Sequence, residues 1–259
     1  MEWTRGGEGV LNEGINAFKA GMLGLLLGGS GIGVGGIIAL LVGNVRRNIS
    51  SFVIQVSAGM MLIIIVLDII PESVSIGGFP LTTVGILLGL YGIRQLERIA
   101  HRIVTITTGL HNDTWLRSSL FLSFAVALHN FPAGIALGNS LVTGPHLVKS
   151  LSITMIAHAI PEGIALVLPL VMAGMPHVAM LIVAIVGIPT GLGAYLGYLF
   201  GMFVPGMQAL LLGVTVGTIV YIAIFEMIKP AWKERGGLTV TLGILMGGML
   251  GLTLIELFH

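Results

Sequence analysis

The sequence predicts an all-α membrane protein, with eight transmembrane helices in a 3+2+3 inverted-repeat arrangement. Three observations lead to the membrane helices, and the repeated motifs described below lead to their arrangement. The chain of 259 residues is 55% hydrophobic and only 9% charged, with a mean hydropathy of +1.03, whereas a soluble domain carries about a quarter charged residues. Its apolar residues fall in runs near the length that crosses a bilayer as a helix. Its basic residues crowd onto alternate connections, as they do when one side of a membrane is cytoplasmic.

The spans follow in order. The first, 17–43, carries the glycine-rich "GGSGIGVGG" at 28–36 and ends before Arg46 and Arg47. The second, 52–71, stops at Pro71, with Asp68 and Glu72 near its end. The third, 79–97, has a short apolar part because Arg94 and Glu97 lie in it. A longer polar connection, 98–118, follows, and holds His101 and His111. The fourth, 119–142, contains His129 and Asn130, and the fifth, 150–172, contains His158 and Glu162. The sixth, 178–202, repeats glycine at 193, 197 and 201. The seventh, 206–228, has Glu226 late in it, and the eighth, 238–258, repeats glycine at 243, 247 and 251. Such small faces let helix backbones approach closely, for tight packing or for sliding. One polytopic domain, 1–259, accounts for the chain. Its first residues, "MEWTRGGEGVLNEG", have three acids and no apolar core, so no cleavable signal peptide is expected.

With the N-terminus outside, the inner connections hold Arg46, Arg47, Arg94, Arg98, Arg102, Arg117, Lys229, Lys233 and Arg235. Arg5, Lys19 and Lys149 are left outside. That asymmetry follows the positive-inside rule, and an even span count puts both termini outside. The net charge of +1 points to no nucleic-acid partner. With no cysteine, disulfides and thiolate metal sites are excluded.

Two stretches carry the chemistry. "LHNFPAGIAL" at 128–137 and "AHAIPEGIAL" at 157–166 lie twenty-nine residues apart. Ionisable groups at membrane depth cost roughly 2.5–3.5 kcal/mol on insertion scales, so they mark pathways or sites. His158 and Glu162, four apart, share a helix face and can converge on one divalent cation. The fourth and fifth spans are joined by a short loop and run antiparallel, so His129 can supply a third ligand. Three protein ligands with room for water make a labile site. Pro132 and Pro161 free the carbonyls of Leu128 and Ala157, and Pro71 and Pro230 those of Leu67 and Glu226. "DIIPES" at 68–73 repeats the spacing of "HAIPEG". Related antiparallel segments broken at one depth are typical of inverted-repeat transporters, in which the fourth and fifth spans straddle a pseudo-two-fold axis.

These residues resemble the ZIP (Zrt/Irt-like protein) divalent metal transporters, especially the bacterial type. "HNFPAG" is similar to that family's fourth-span H-N-x-P-E-G motif and "HAIPEG" to its fifth-span H-x-x-P-E-G. "SAGMML" with "DIIPES" resembles the second span and "YIAIFEMIKP" the seventh. The resemblance implies a 3+2+3 fold with both termini outside, and uptake of Zn²⁺, or of Cd²⁺, Fe²⁺ or Mn²⁺, across the plasma (inner) membrane into the cytoplasm. It implies a metal site of His129, His158 and Glu162 with Met61 nearby, and a second position drawing on Asn130, Glu162 and Glu226. Asp68 and Glu72 are then pathway residues. The sequence departs from the pattern at Ala133, where the family has a bridging carboxylate, and at Ala159. Both losses fall on the second position, which predicts one robust metal site.

Imidazole with carboxylate suits these transition metals rather than Mg²⁺ or Ca²⁺. The metal is expected as cargo, with no catalytic cofactor; the expected partners are the ion, the lipid bilayer and, in one arrangement, a second copy as a homodimer. Three other classes compete. A membrane metal sensor would bind without flux. An intramembrane metalloenzyme would need a motif such as H-E-x-x-H, which the chain lacks. An organic-solute carrier would not gather its polar groups as metal ligands.

Overall fold

The computed structural model describes residues 2–43, 47–108, 114–200 and 205–258, with side chains at 13–43, 49–99, 122–144, 148–200, 206–233 and 236–257. Arg46 and Gly201 therefore lie outside the described residues. So do the side chains of Arg5, Arg47, His101, Arg102, His111, Arg117 and Arg235. The described chain is all helix, without a strand.

Helix α1 covers Glu2–Gly43 and takes in the acidic N-terminal stretch. Helix α2, Arg47–Ile64, passes through a π-helical turn at Ile65–Ile69 into α3, Ile70–Thr108. α3 therefore takes up much of the connection expected at 98–118, and α4, Thr114–Thr143, begins within its remainder. α5 is Pro145–Met172. The expected sixth span is two helices, α6 at Pro176–Val186 and α7 at Ile188–Leu199, broken at Gly187. Pro189 follows the break, and its missing N–H leaves one turn of the ladder unmade. α8, Pro205–Tyr221, runs through a second π-helical segment, Ile222–Ile228, into α9, Lys229–Arg235, and α10 is Gly237–Phe258.

Six helical stretches among the described residues are long and apolar enough to cross a bilayer: Glu13–Gly43, Ile49–Ile99, Val148–Met172, Pro176–Leu199, Gly206–Lys233 and Gly237–Leu257. The second is 51 residues, which at 1.5 Å per residue is about twice the ~30 Å hydrocarbon core. It is broken at Gly78, whose φ of 76° and ψ of 167° only glycine adopts readily.

The π-helical segments are where the prolines act. Pro71 and Pro230 cannot donate to the carbonyls four residues back, and each helix absorbs the defect as a wider turn. The N–H of Ile70 bonds to the carbonyl of Ile65, and that of Lys229 to Ile224. Each segment holds one acid, Asp68 or Glu226. Gly78 and Gly236, both at positive φ, follow at the same distance beyond them.

Packing divides the helices into two groups. α1 packs on α5 and α7, and α4 on α7; α2 packs on α10, and α3 on α8. The contacts are close enough to exclude a side chain. A Cβ on Gly35 would come 2.0 Å from the carbonyl oxygen of Ile160, and one on Gly163 2.2 Å from that of Ile32. Across α4 and α7, Gly193 meets Phe131 at 2.3 Å and Gly134 meets Thr190 at 2.2 Å. In the other group, Gly59 meets Ile244 and Gly217 meets Ile86 at 2.2 Å; Gly247 meets Val56 at 2.0 Å and Gly89 meets Val214 at 2.3 Å. Gly193 and Gly197 on α7, and Gly243, Gly247 and Gly251 on α10, thus seat inside each group as tight packing.

These contacts repeat with a fixed shift. Adding 158 to Ile32, Gly35, Val56, Gly59, Ile86 and Gly89 gives Thr190, Gly193, Val214, Gly217, Ile244 and Gly247. Asp68 and Gly78 map by the same shift onto Glu226 and Gly236. Helices α4 and α5 exchange through the twenty-nine-residue spacing, which relates Phe131 to Ile160 and Gly134 to Gly163. Every close contact above therefore has a counterpart in the other half.

Candidate metal centre

His129 on α4 and His158 and Glu162 on α5 meet between the two helix groups. A chain reversal at Gly144 makes α4 and α5 antiparallel neighbours. Each His precedes a proline by three residues, and both prolines stay within continuous helix. His129 and Glu162 are fully buried and His158 nearly so, at 4% exposure.

One ligand atom from each of the three lies within 4.8 Å of the others. His129 Nε2 is 2.8 Å from Glu162 Oε1, and His158 Nε2 is 4.0 Å from the same oxygen. The far side of each ring faces a backbone carbonyl. His158 Nδ1 lies 2.6 Å from the carbonyl oxygen of Thr154, and His129 Nδ1 3.2 Å from that of Ala125. A carbonyl only accepts, so Nδ1 carries the proton in each ring and donates it there. The Nε2 of each ring then faces the carboxylate. Two acceptors at 2.8 Å repel each other unless a proton or a cation lies between them. Glu162 Oε2, also buried, has no hydrogen-bond partner, and a bare carboxylate oxygen at zero exposure is costly. Donors around a tetrahedral Zn²⁺ sit about 3.4 Å apart, with bonds of about 2.0–2.2 Å to His and Glu. Closing this cluster onto one ion takes only small side-chain movement.

Asp68 and Glu72 lie on the α5 N-terminal side. Together with Ala133, Leu151, Thr154, His158, Leu212 and Thr215 they line a narrow cavity of about 20 Å³, near the volume one water needs. Thr154 donates its hydroxyl to Asp68 at 2.5 Å and its carbonyl accepts from His158, so Asp68 is linked to the cluster through one residue. Ala133 stands in this wall where its counterpart on α5 is Glu162.

The other expected ligands sit on α4, α2 and the second π-helical segment. Asn130 is buried, and its amide donates to the carbonyl of Val186 at the α6–α7 break, 3.3 Å away. Met61 is buried on α2 within the apolar core that includes Ala159 and Ile222. Glu226 is half-buried on the opposite side, in a cavity of about 580 Å³ lined by Arg94, Glu97, Tyr221, Phe225, Lys229 and Lys233 among others. There Tyr221 donates its hydroxyl to Glu97 and stacks on Phe225 at 4.6 Å. Lys229 lies 5.3 Å from the Phe225 ring centroid, within cation–π range. Sequence reasoning missed Thr154, although a hydroxyl one turn before His158 is a visible candidate to bond across to a neighbouring helix, as it does to Asp68. It also missed the buried amides Asn139 and Gln208, which share a hydrogen bond of 3.1 Å.

Comparison with known proteins follows this geometry. The family described as "ZIP Zinc transporter" matches residues 110–256, more than half of the chain. The protein "Zinc transporter ZupT" of Chlorobium limicola is 28% identical over 256 residues, covering 90% of this chain and 96% of that one. "Zinc transporter ZupT" of Chlorobaculum parvum is 27% identical over 247 residues, covering 87% and 92%. The protein of the same name in Escherichia fergusonii is 26% identical over 243 residues, covering 90% and 95%.

Proposed function

Since the chain belongs to the ZIP zinc transporter family, we propose that it carries Zn²⁺ across the inner membrane into the cytoplasm through the His129–His158–Glu162 cluster. The family is one of transporters, so the chain is no enzyme, and its apolar helices make it a multi-pass membrane protein. The observation that carries the proposal is the cluster itself. The Nε2 atoms of two imidazoles face a fully buried carboxylate whose second oxygen has no hydrogen-bond partner. The cluster's donor types favour zinc and its neighbours, Cd²⁺, Fe²⁺ and Mn²⁺.

We read the fold as eight spans in a 3+2+3 inverted repeat within a single polytopic domain. Counting Ile49–Ile99 twice and adding α4 to the remaining stretches gives eight. The recurrence of contacts at a shift of 158, with α4 and α5 exchanged, supports the repeat. The side bearing Glu226 also bears Arg94, Arg98, Lys229 and Lys233, which by the positive-inside rule is cytoplasmic. Both termini are then outside. Zinc enters past Asp68 and Glu72, is held by the two histidines and Glu162 near Met61, and leaves towards Glu226. Asn130 and Glu226, with Glu162, form at most a weak companion position, because Ala133 supplies no bridging carboxylate.

Zn²⁺ flux into proteoliposomes loaded with a metal-sensitive dye tests this. Saturable flux in the parent that disappears in Glu162→Ala is the expected result. Tight binding without flux would convert the reading to a sensor. Neither binding nor flux would remove the metal reading.

A further inference from the structure

Two hydrogen-bonded pairs near the site tie one helix group to the other. Thr154 on α5 donates its hydroxyl to Asp68 in the π-helical turn after α2. Asn139 on α4 donates to Gln208 on α8. Both bonds lie on the same side of the metal cluster. Thr154 is one turn before His158 on α5, and Asn139 is ten residues after His129 on the antiparallel α4. That side holds the 20 Å³ cavity; the other holds the 580 Å³ cavity.

The corresponding positions on the wide side cannot form these bonds. The twenty-nine-residue exchange places Ala125 where Thr154 would be, and the shift of 158 places Glu226 where Asp68 would be. In the same way Leu168 stands for Asn139, and Ser50 for Gln208, with Ser50 bonded instead to the carbonyl of Val42. The packing frame is symmetric, but neither of these two bonds recurs at the matching positions.

We infer that Thr154–Asp68 and Asn139–Gln208 form a two-point latch that closes the α5 N-terminal side of the metal site and sets which side is closed at rest. It rests on the transport reading for its purpose. The latch is also built to release. Asn139 Oδ1 and Gln208 Nε2 are buried without a partner, and parting the helices lets water satisfy both. Thr154 couples the latch to the cargo, because its carbonyl fixes the His158 ring while its hydroxyl holds Asp68. An ion drawing His158 onto itself pulls on the residue that holds the gate.

The chain has no cysteine, so one engineered thiol can report on closure. Leu212 lines the narrow cavity and is 4% exposed. In Leu212→Cys, the rate of labelling by a membrane-impermeant methanethiosulfonate is measured from the α5 N-terminal side, in intact cells, with zinc flux measured in parallel. Adding Thr154→Val, or independently Asn139→Leu, should raise the rate roughly three- to tenfold, the factor that one net hydrogen bond represents. Thr154→Ser keeps the hydroxyl and should leave the rate at the parent value. Labelling unchanged by both Val and Leu variants, or raised as much by Ser as by Val, overturns the latch. Flux in the parent with unchanged labelling overturns the latch alone. Raised labelling without any zinc flux supports the latch and overturns the transport reading.

Discussion

Replacing Ala133 by Glu should turn a one-ion site into a two-ion site, and the structure sets the balance of costs. Ala133 is buried at 6% exposure in the wall of a cavity of about 20 Å³ shared with His158, Asp68 and Glu72. A glutamate needs more room than that, and overpacking a close-packed core costs about 1–3 kcal/mol. It also brings a negative charge towards three existing carboxylates, which adds to the penalty while no cation is bound. The fold relates Ala133 to Glu162 and His158 to His129. The new carboxylate would therefore approach His158 as Glu162 approaches His129, at 2.8 Å. With Zn²⁺ at a hundred times its Kd, binding to the native state alone returns about 2.7 kcal/mol for each site. The variant should therefore melt below the parent in chelator and gain more from zinc than the parent does. Calorimetric titration should count two ions where the parent takes one. Equal stoichiometry, with an equal zinc-induced rise in Tm, would refute the account of Ala133 as the missing bridge.

Two further outcomes test the packing and the donor chemistry. Gly35→Ala forces a Cβ to within 2.0 Å of the Ile160 carbonyl and should cost about 1–3 kcal/mol. Gly92→Ala, with nothing within 4 Å, should be neutral or slightly stabilising in a helix, and thermal melts in detergent distinguish the two. Zinc and protons compete for the Nε2 atoms of His129 and His158. Uptake at subsaturating zinc should therefore fall as pH drops from neutral to below 6, and a flat profile across that range would speak against two histidine ligands.

Much of the site was readable because its grammar is local. His158 and Glu162 are one turn apart, and a short loop places His129 opposite them, so helical periodicity alone gathers the three. The helices were legible for the same reason, since apolar runs need no tertiary information. The misses are features that local pattern does not encode. Prolines 71 and 230 announced defects at Leu67 and Glu226, but whether such a defect becomes a kink or a π-helical turn depends on the packing around it. The break at Gly187 lies within a run of high apolar content, where hydropathy has no contrast. Glu226 shares its cavity with Arg94 and Glu97, residues far from it in sequence that no local pattern links to it. The Asn139–Gln208 bond joins residues sixty-nine apart, and no periodicity links them.

The shift of 158 has a consequence for how this chain can vary in length. It holds without a gap from Ile32 to Gly89 and from Thr190 to Gly247, straight through both π-helical segments. Removing one residue from either stretch would turn the helix beyond it by about 100°. Asp68 or Glu226 would then be carried off its cavity, and the glycines beyond would lose their carbonyl partners. Insertions and deletions in related genes should accordingly collect between Thr108 and Thr114, outside the matched frames. The same interval is where a fluorescent reporter or an affinity tag can be spliced in without moving the metal site.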